Sequence, residues 1–297
     1  MVIYMKKKYN IGAFYVMLSS VLFGLMPYFA KTLYSTGATP QAVLAYRFFL
    51  GALLALGWIR CKKIDLRIDR SSLIRIFIIA LVGMCLTTSM LFMSFQYVSS
   101  GLAMALHFAY PAFTVLISVM LFRLKFTLRK AASVALSMIG IVLISELSFE
   151  SNSLKGMALA ILSAVTYAIY IISITHHKLR NLETSIINFY MFGFSSIILS
   201  LWAYFDGGFF TPSSGEEYFA LGGLAFVSTF IAIMLFAKGA QLIGASDASL
   251  LSTMEPITSI ILGVIFFGEL LKPVHLIGVV LIILSIILVA KAKKVAE

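Results

Sequence analysis

Within residues 238–273, KGAQLIGASDASLLSTMEPITSIILGVIFFGELLKP, the run is predominantly apolar, yet Asp247, Glu255 and Pro256 stand inside it. A carboxylate among hydrocarbon must face a polar cavity, find a cationic partner or hold a proton. Pro256 has no N–H, so in a helix it deprives the carbonyl of Ser252 of its donor. Glu255, that carbonyl and a bend therefore fall together, an arrangement suited to a substrate contact or a proton site. A protonated Glu255 that only ties two helices together is the structural alternative. Asp247 shares a helical face with Leu251 and Glu255, and it also suits the N-cap of the helix it opens.

A second group precedes Pro111. His107 and Tyr110 stand there, and Pro111 releases the carbonyl of His107 as Pro256 releases that of Ser252. His107 reads equally as cavity lining and as packing. Arg47 either reaches back to the membrane surface or points inward to neutralise an anionic group; no cluster of interfacial charges surrounds it, which favours the inward direction. Lys238 suits the surface, with a gate or an ion pair to Asp247 as the alternative. Gln96 and Gln241 fall at helix ends, where capping is the default and gating the bolder role. Pro27, beside Gly24, predicts a third bend. Tyr167, with Tyr15, Tyr110 and Tyr170, is a candidate wall for an aromatic or amphipathic ligand. No metal or cofactor is implied. His176 and His177 are adjacent and cannot share one helical face, and no Gly-rich nucleotide loop ending in Lys–Ser/Thr occurs.

These residues need apolar helices to position them. Of the 297 residues 61% are hydrophobic and 12% charged, with a mean hydropathy of +1.02, whereas soluble domains carry about 25% charge. Continuous apolar runs without strand-type alternation exclude a transmembrane barrel. A hydrocarbon core about 30 Å thick takes roughly 20 helical residues. Ten spans follow, at 11–30, 41–59, 73–95, 102–122, 131–147, 156–175, 185–204, 218–238, 247–267 and 273–290, with no room left for a soluble domain. The basic start, Lys6 to Lys8, is read as the flank of the first span rather than of a signal peptide. Cys61 and Cys85 do not suggest a disulfide framework.

The net charge of +11 does not imply nucleic acid, because the basic residues sit in short links beside apolar runs. With the N-terminus inside, seventeen Lys and Arg fall in inner links and the tail, against Lys31, Lys155 and Lys272 outside. That asymmetry predicts a multi-pass membrane protein with both termini in the cytoplasm. A shift of 145 residues superposes Gln96 on Gln241, Pro111 on Pro256 and Phe122 on Phe267; a shift of 144 puts Gly12 on Gly156. Two five-helix units, 1–150 and 151–297, are expected, and an odd number of helices in each makes the repeat inverted.

SSVLFGLMPYFAK at 19–31, YRFFLG at 46–51 and KGAQLIGASDASLLSTMEPITSIILGVIFFGE at 238–269 resemble the EamA family of the drug/metabolite transporter superfamily. The likeness covers nearly the whole chain. It implies a ten-helix inner-membrane carrier and, as for many members, export of amino acids or other small metabolites. The family usually repeats its glutamate-containing block in both halves; here Glu255 and Glu269 stand in the second half, with Tyr110 and Leu124 at the matching places in the first. The expected function is secondary transport by alternating access. Its partners would be a small-molecule substrate, a proton as candidate coupling ion, and membrane lipid; the oligomeric state is left open. A structural or assembly subunit is the alternative. An intramembrane enzyme is less compatible with such short loops and with the lack of a His–carboxylate, Ser–His or metal cluster.

Overall fold

The computed structural model describes residues 2–34, 37–94, 97–98, 100–122, 127–144, 154–175, 177–267 and 272–292. Among these residues every regular element is helical, and the helices group into ten spans. Span α1 comprises Val2–Gly24 and, after a break at Leu25, Met26–Tyr34. Next come α2 (Pro40–Cys61) and α3 (Arg70–Ser94). Span α4 is Ser100–His107 followed, after Phe108 and Ala109, by Tyr110–Phe122. The series continues with α5 (Leu128–Ile144), α6 (Leu154–Thr175), α7 (Thr184–Phe205) and α8 (Gly215–Ile243). Span α9 is Ala245–Leu251 and Met254–Phe267, and α10 is Pro273–Ala292. A single turn, His177–Arg180, lies between α6 and α7.

Local chemistry sets the starts of several spans. Thr39 accepts the N–H of Ala42 ahead of Pro40, Asp69 accepts that of Ser72, and Ser214 that of Glu217, each quenching a donor that a helix start leaves unpaired. The bonds from Ser72 hold the Asp69 carboxyl below its usual range. Seven of the described helical stretches are long and apolar enough to cross a membrane. Large apolar side chains such as Phe49, Leu53, Ile78, Met120, Ile197 and Leu201 are exposed. So much outward apolar surface suits lipid and not water.

Two features escape any reading of hydrophobic periodicity. Spans α3 and α8 each contain a π-helical turn, Ala80–Leu86 and Phe226–Ile231, at matching places. In or beside each turn a threonine hydroxyl bonds the carbonyl five residues back, Thr87 to Val82 and Thr229 to Leu224. The breaks in α1, α4 and α9 each precede a proline, Pro27, Pro111 and Pro256. A proline ring clashes with the preceding turn and removes one of its donors.

The packing repeats. Span α2 lies along α7 and α5 along α10; α1 packs on α8 as α6 packs on α3, and α9 on α1 as α4 on α6. Exchanging each span for the one five further on reproduces this set. Glycine contacts agree at atomic detail. A Cβ on Gly12 would meet Leu242, Ile243 and the carbonyl of Gly239; on Gly156 it would meet Tyr97, Val98 and the carbonyl of Ser94. Each of those partners in α8 stands 145 residues after its counterpart at the end of α3. Small residues of this kind let helix backbones approach closely in lipid.

Candidate functional site

The two broken spans meet. Tyr110, the first residue after the α4 break, donates its hydroxyl to Ser252 Oγ at the α9 break, 2.7 Å away, while Ser252 donates to the Ser249 carbonyl at 2.8 Å. The Ser252 carbonyl, expected to be freed by Pro256, is instead taken by the N–H of Glu255 at 3.1 Å. The turn tightens to an i→i+3 bond and thereby satisfies what the proline left open. Glu255 follows in the first turn of the second α9 segment. It is enclosed by protein but keeps partial accessibility, and no described residue hydrogen-bonds its carboxylate.

Aromatic rings surround this junction. Tyr167 of α6 meets Tyr110 edge to face, centroids 4.7 Å apart, and lies 5.5 Å from His107 and 5.6 Å from Tyr170. Tyr170 continues the stack to Phe236 of α8, and a Cβ on Gly83, in the α3 π turn, would collide with Tyr170. His107 is 8% exposed and bonds Ser163 Oγ through Nδ1 at 2.9 Å. Since the Ser163 hydroxyl donates to the Ala160 carbonyl, Nδ1 is the donor in that pair. His107 is thus tied to α6 and also borders the aromatic group.

Arg47 points inward. It is 6% exposed and rests on the α8 π turn: Nε donates to Thr229 Oγ1 at 2.6 Å and Nη2 to the Ser228 carbonyl at 3.4 Å. Nη1 lies 3.0 Å from the sulfur of Met26, beside the α1 break. Glu255, Tyr34 and Tyr167 are near enough to interact with it electrostatically. The structure thus assembles Arg47, Tyr110, Tyr167, Ser252 and Glu255 from four different spans, with His107 at the margin. Gly24 makes room for α9, since a Cβ there would strike Thr258.

The remaining candidates lie elsewhere. Asp247 is not an N-cap. Gly244, at φ 93°, occupies the cap of α9, a conformation that favours glycine, and Asp247 falls inside the first turn. Its carboxylate meets Lys130 Nζ of α5 at 3.8 Å and the Tyr9 hydroxyl of α1. Lys238 is exposed, as a surface-seeking side chain would be. Gln241 is buried and accepts from Thr184 Oγ1 at 3.0 Å, fastening α8 to the start of α7. Gln96, Leu124 and Glu269 lie outside the described residues, as does His176. The partners Thr229, Ser163 and Lys130 were missed, as was the pair of π turns. A threonine or serine in an apolar run gives little signal of its own, because its hydroxyl can bond its own helix.

A sequence profile described as the EamA-like transporter family matches the chain twice, over residues 10–146 and 154–291. The uncharacterised transporter YwfM of Bacillus subtilis (strain 168) is 28% identical over 155 residues, 52% of this chain and 51% of that protein. An uncharacterised transporter of Archaeoglobus fulgidus is 25% identical over 281 residues, 92% of this chain and 94% of that one. YcxC, another uncharacterised transporter of B. subtilis, is 27% identical over 290 residues, 91% and 89% of the two chains. A protein of known crystal structure shares the fold at 15% identity, with a TM-score of 0.82 over 96% of this chain and 98% of its own.

Proposed function

The chain belongs to the EamA-like transporter family, a multi-pass membrane transporter of small molecules, and from that premise we propose that it exports amino acids or similar small metabolites by alternating access. The substrate site is the cavity between the broken spans α4 and α9, and two inverted five-helix units, 1–150 and 151–297, rock about it. The observation that carries this reading is the junction itself: Glu255 stays partly accessible beside a Tyr110–Ser252 bond that joins the two breaks. Polar groups deep in an apolar bundle line pathways when they are not fully paired, and discontinuous helices at a repeat interface are where carriers place their sites.

The exchange of contacts between spans five apart, together with the paired π turns, supports two structurally equivalent halves. The distribution of basic residues supports cytoplasmic termini. Opposite charges, Arg47 and Glu255, in one cavity suit a zwitterion. Export rather than uptake is carried over only from the resemblance to the EamA family, many of whose members are exporters. Energy comes from the substrate gradient or a coupled proton, with Glu255 the proton candidate.

The test is counterflow of labelled amino acids into liposomes containing the purified protein, with Glu255→Gln in parallel. Trans-stimulated uptake in the parent and a loss of at least tenfold in the variant are expected. Absence of flux for every amino acid would overturn the transport of this class, and full flux in the variant would remove Glu255 from the site.

A further inference from the structure

The guanidinium of Arg47 is buried, and among the described residues no counter-ion is in bonding contact with it. Among the described residues its three hydrogen-bond partners are a hydroxyl, a carbonyl and a thioether, all neutral. A guanidinium carries five N–H donors, so one on each terminal nitrogen has no acceptor among the described residues. No described carboxylate forms an ion pair with Arg47; Glu255 interacts with it only through space and stays partly accessible. A buried charge held by neutral partners is costly unless something else completes its shell.

We propose that Arg47 is an anion-binding subsite that takes the carboxylate, or another small oxyanion group, of an organic substrate through its two unused N–H donors. The proposal rests on the reading of the cavity as the transport site, and it assigns the orientation of the substrate within it. The anionic end lies against α2 and α8, and the opposite end lies toward Glu255 and the Tyr110–Tyr167 pair.

Three observations carry it. The π turn fixes the guanidinium, because both of its acceptors are themselves fixed: Thr229 donates to the Leu224 carbonyl at 2.8 Å and the Ser228 hydroxyl to the Leu22 carbonyl at 3.0 Å. A fork held on one side before the ligand arrives loses little freedom on binding and presents the remaining donors in a plane that matches an oxyanion. Among the described residues the subsite also has no counterpart in the other half of the repeat. Span α7, the counterpart of α2, carries no charged residue, and Tyr110 stands at the counterpart of Glu255. The internal repeat therefore supplies the frame, and the two charges, near enough to interact, break its symmetry. Finally, Arg47 touches Met26 at the α1 break, so an anion on the guanidinium is sensed where a helix is already interrupted.

The experiment measures the thermal stability of the purified full-length protein in detergent at constant ionic strength. The probes are two matched pairs, sodium acetate against acetamide and sodium 3-phenylpropionate against 3-phenylpropionamide. Each carboxylate should stabilise the parent protein with an apparent Kd at least tenfold below that of its amide. Arg47→Gln should bring the members of each pair together, whereas Arg47→Lys, which keeps charge but loses the fork, should retain a reduced preference. Equal responses of the parent to carboxylate and amide, or no response to either pair, would overturn the subsite. The parent protein alone is enough for that comparison, so the test holds even where Arg47→Gln fails to fold. A carboxylate preference without any amino acid counterflow would retain the subsite and retract the transport reading; counterflow without the preference would do the reverse.

Discussion

Replacing Gly12 with alanine puts the packing argument at risk most directly. In α1 the new Cβ would stand 2.5 Å from Ile243 Cγ2 and 2.8 Å from Leu242 Cβ of α8, whereas ordinary contact begins near 3.4 Å. The leucine Cβ is anchored to its backbone and cannot swing away, so α1 and α8 must part by several tenths of an ångström along their crossing. Overpacking of this kind costs about 1–3 kcal/mol, against a gain of about 1 kcal/mol from replacing glycine in a helix. Gly193 of α7 is the control, since no atom of the described residues lies within 4 Å of where a Cβ would stand and only the gain applies. Gly12→Ala should therefore fall about 1–3 kcal/mol below Gly193→Ala. Gly156→Ala, whose Cβ would stand 2.6 Å from Tyr97 Cβ and 2.9 Å from Val98 Cγ1, should fall by a similar amount. Reversible unfolding of the three variants by titration with a denaturing detergent measures this. Gly12→Ala as stable as Gly193→Ala would refute the close crossing. A loss at Gly12 with none at Gly156 would refute the equivalence of the two contacts.

The Tyr110–Ser252 bond should appear in a double-mutant cycle of Tyr110→Phe and Ser252→Ala with a coupling of about 0.6 kcal/mol and no more than about 1.7; zero coupling would sever the link between the breaks. Asp247→Asn should change stability by less than about 1 kcal/mol, because the pair with Lys130 is partly exposed and spans 3.8 Å, and the difference should shrink as salt rises. Cys61, exposed at the end of α2, should react with a membrane-impermeant maleimide in inverted membrane vesicles and not in intact cells, whereas buried Cys85 should react only after denaturation. Labelling of Cys61 from outside the cell would reverse the proposed orientation.

Much of this protein is legible in the chain itself. Apolar runs of membrane length, divided by short basic links, dictate a helical bundle, because a backbone in lipid must satisfy its own hydrogen bonds. Pro27, Pro111 and Pro256 announce where helices break, and the 145-residue register links the last two. Those properties are local: they follow from one residue's missing N–H or from the mean character of twenty neighbours. The partners across the bundle are not local. Arg47 finds Thr229, 182 positions away, Tyr110 finds Ser252, 142 away, and His107 finds Ser163, 56 away. Each pairing depends on the rotation and axial register of two helices, which are set by packing at points such as Gly12 and Gly156. A π turn holds one residue beyond the regular helical period, so periodicity does not reveal it. Asp247 illustrates the difference best. Its type and position suit a cap, but Gly244 turns the chain first, and Lys130 and Tyr9 claim the carboxylate only because three spans converge there.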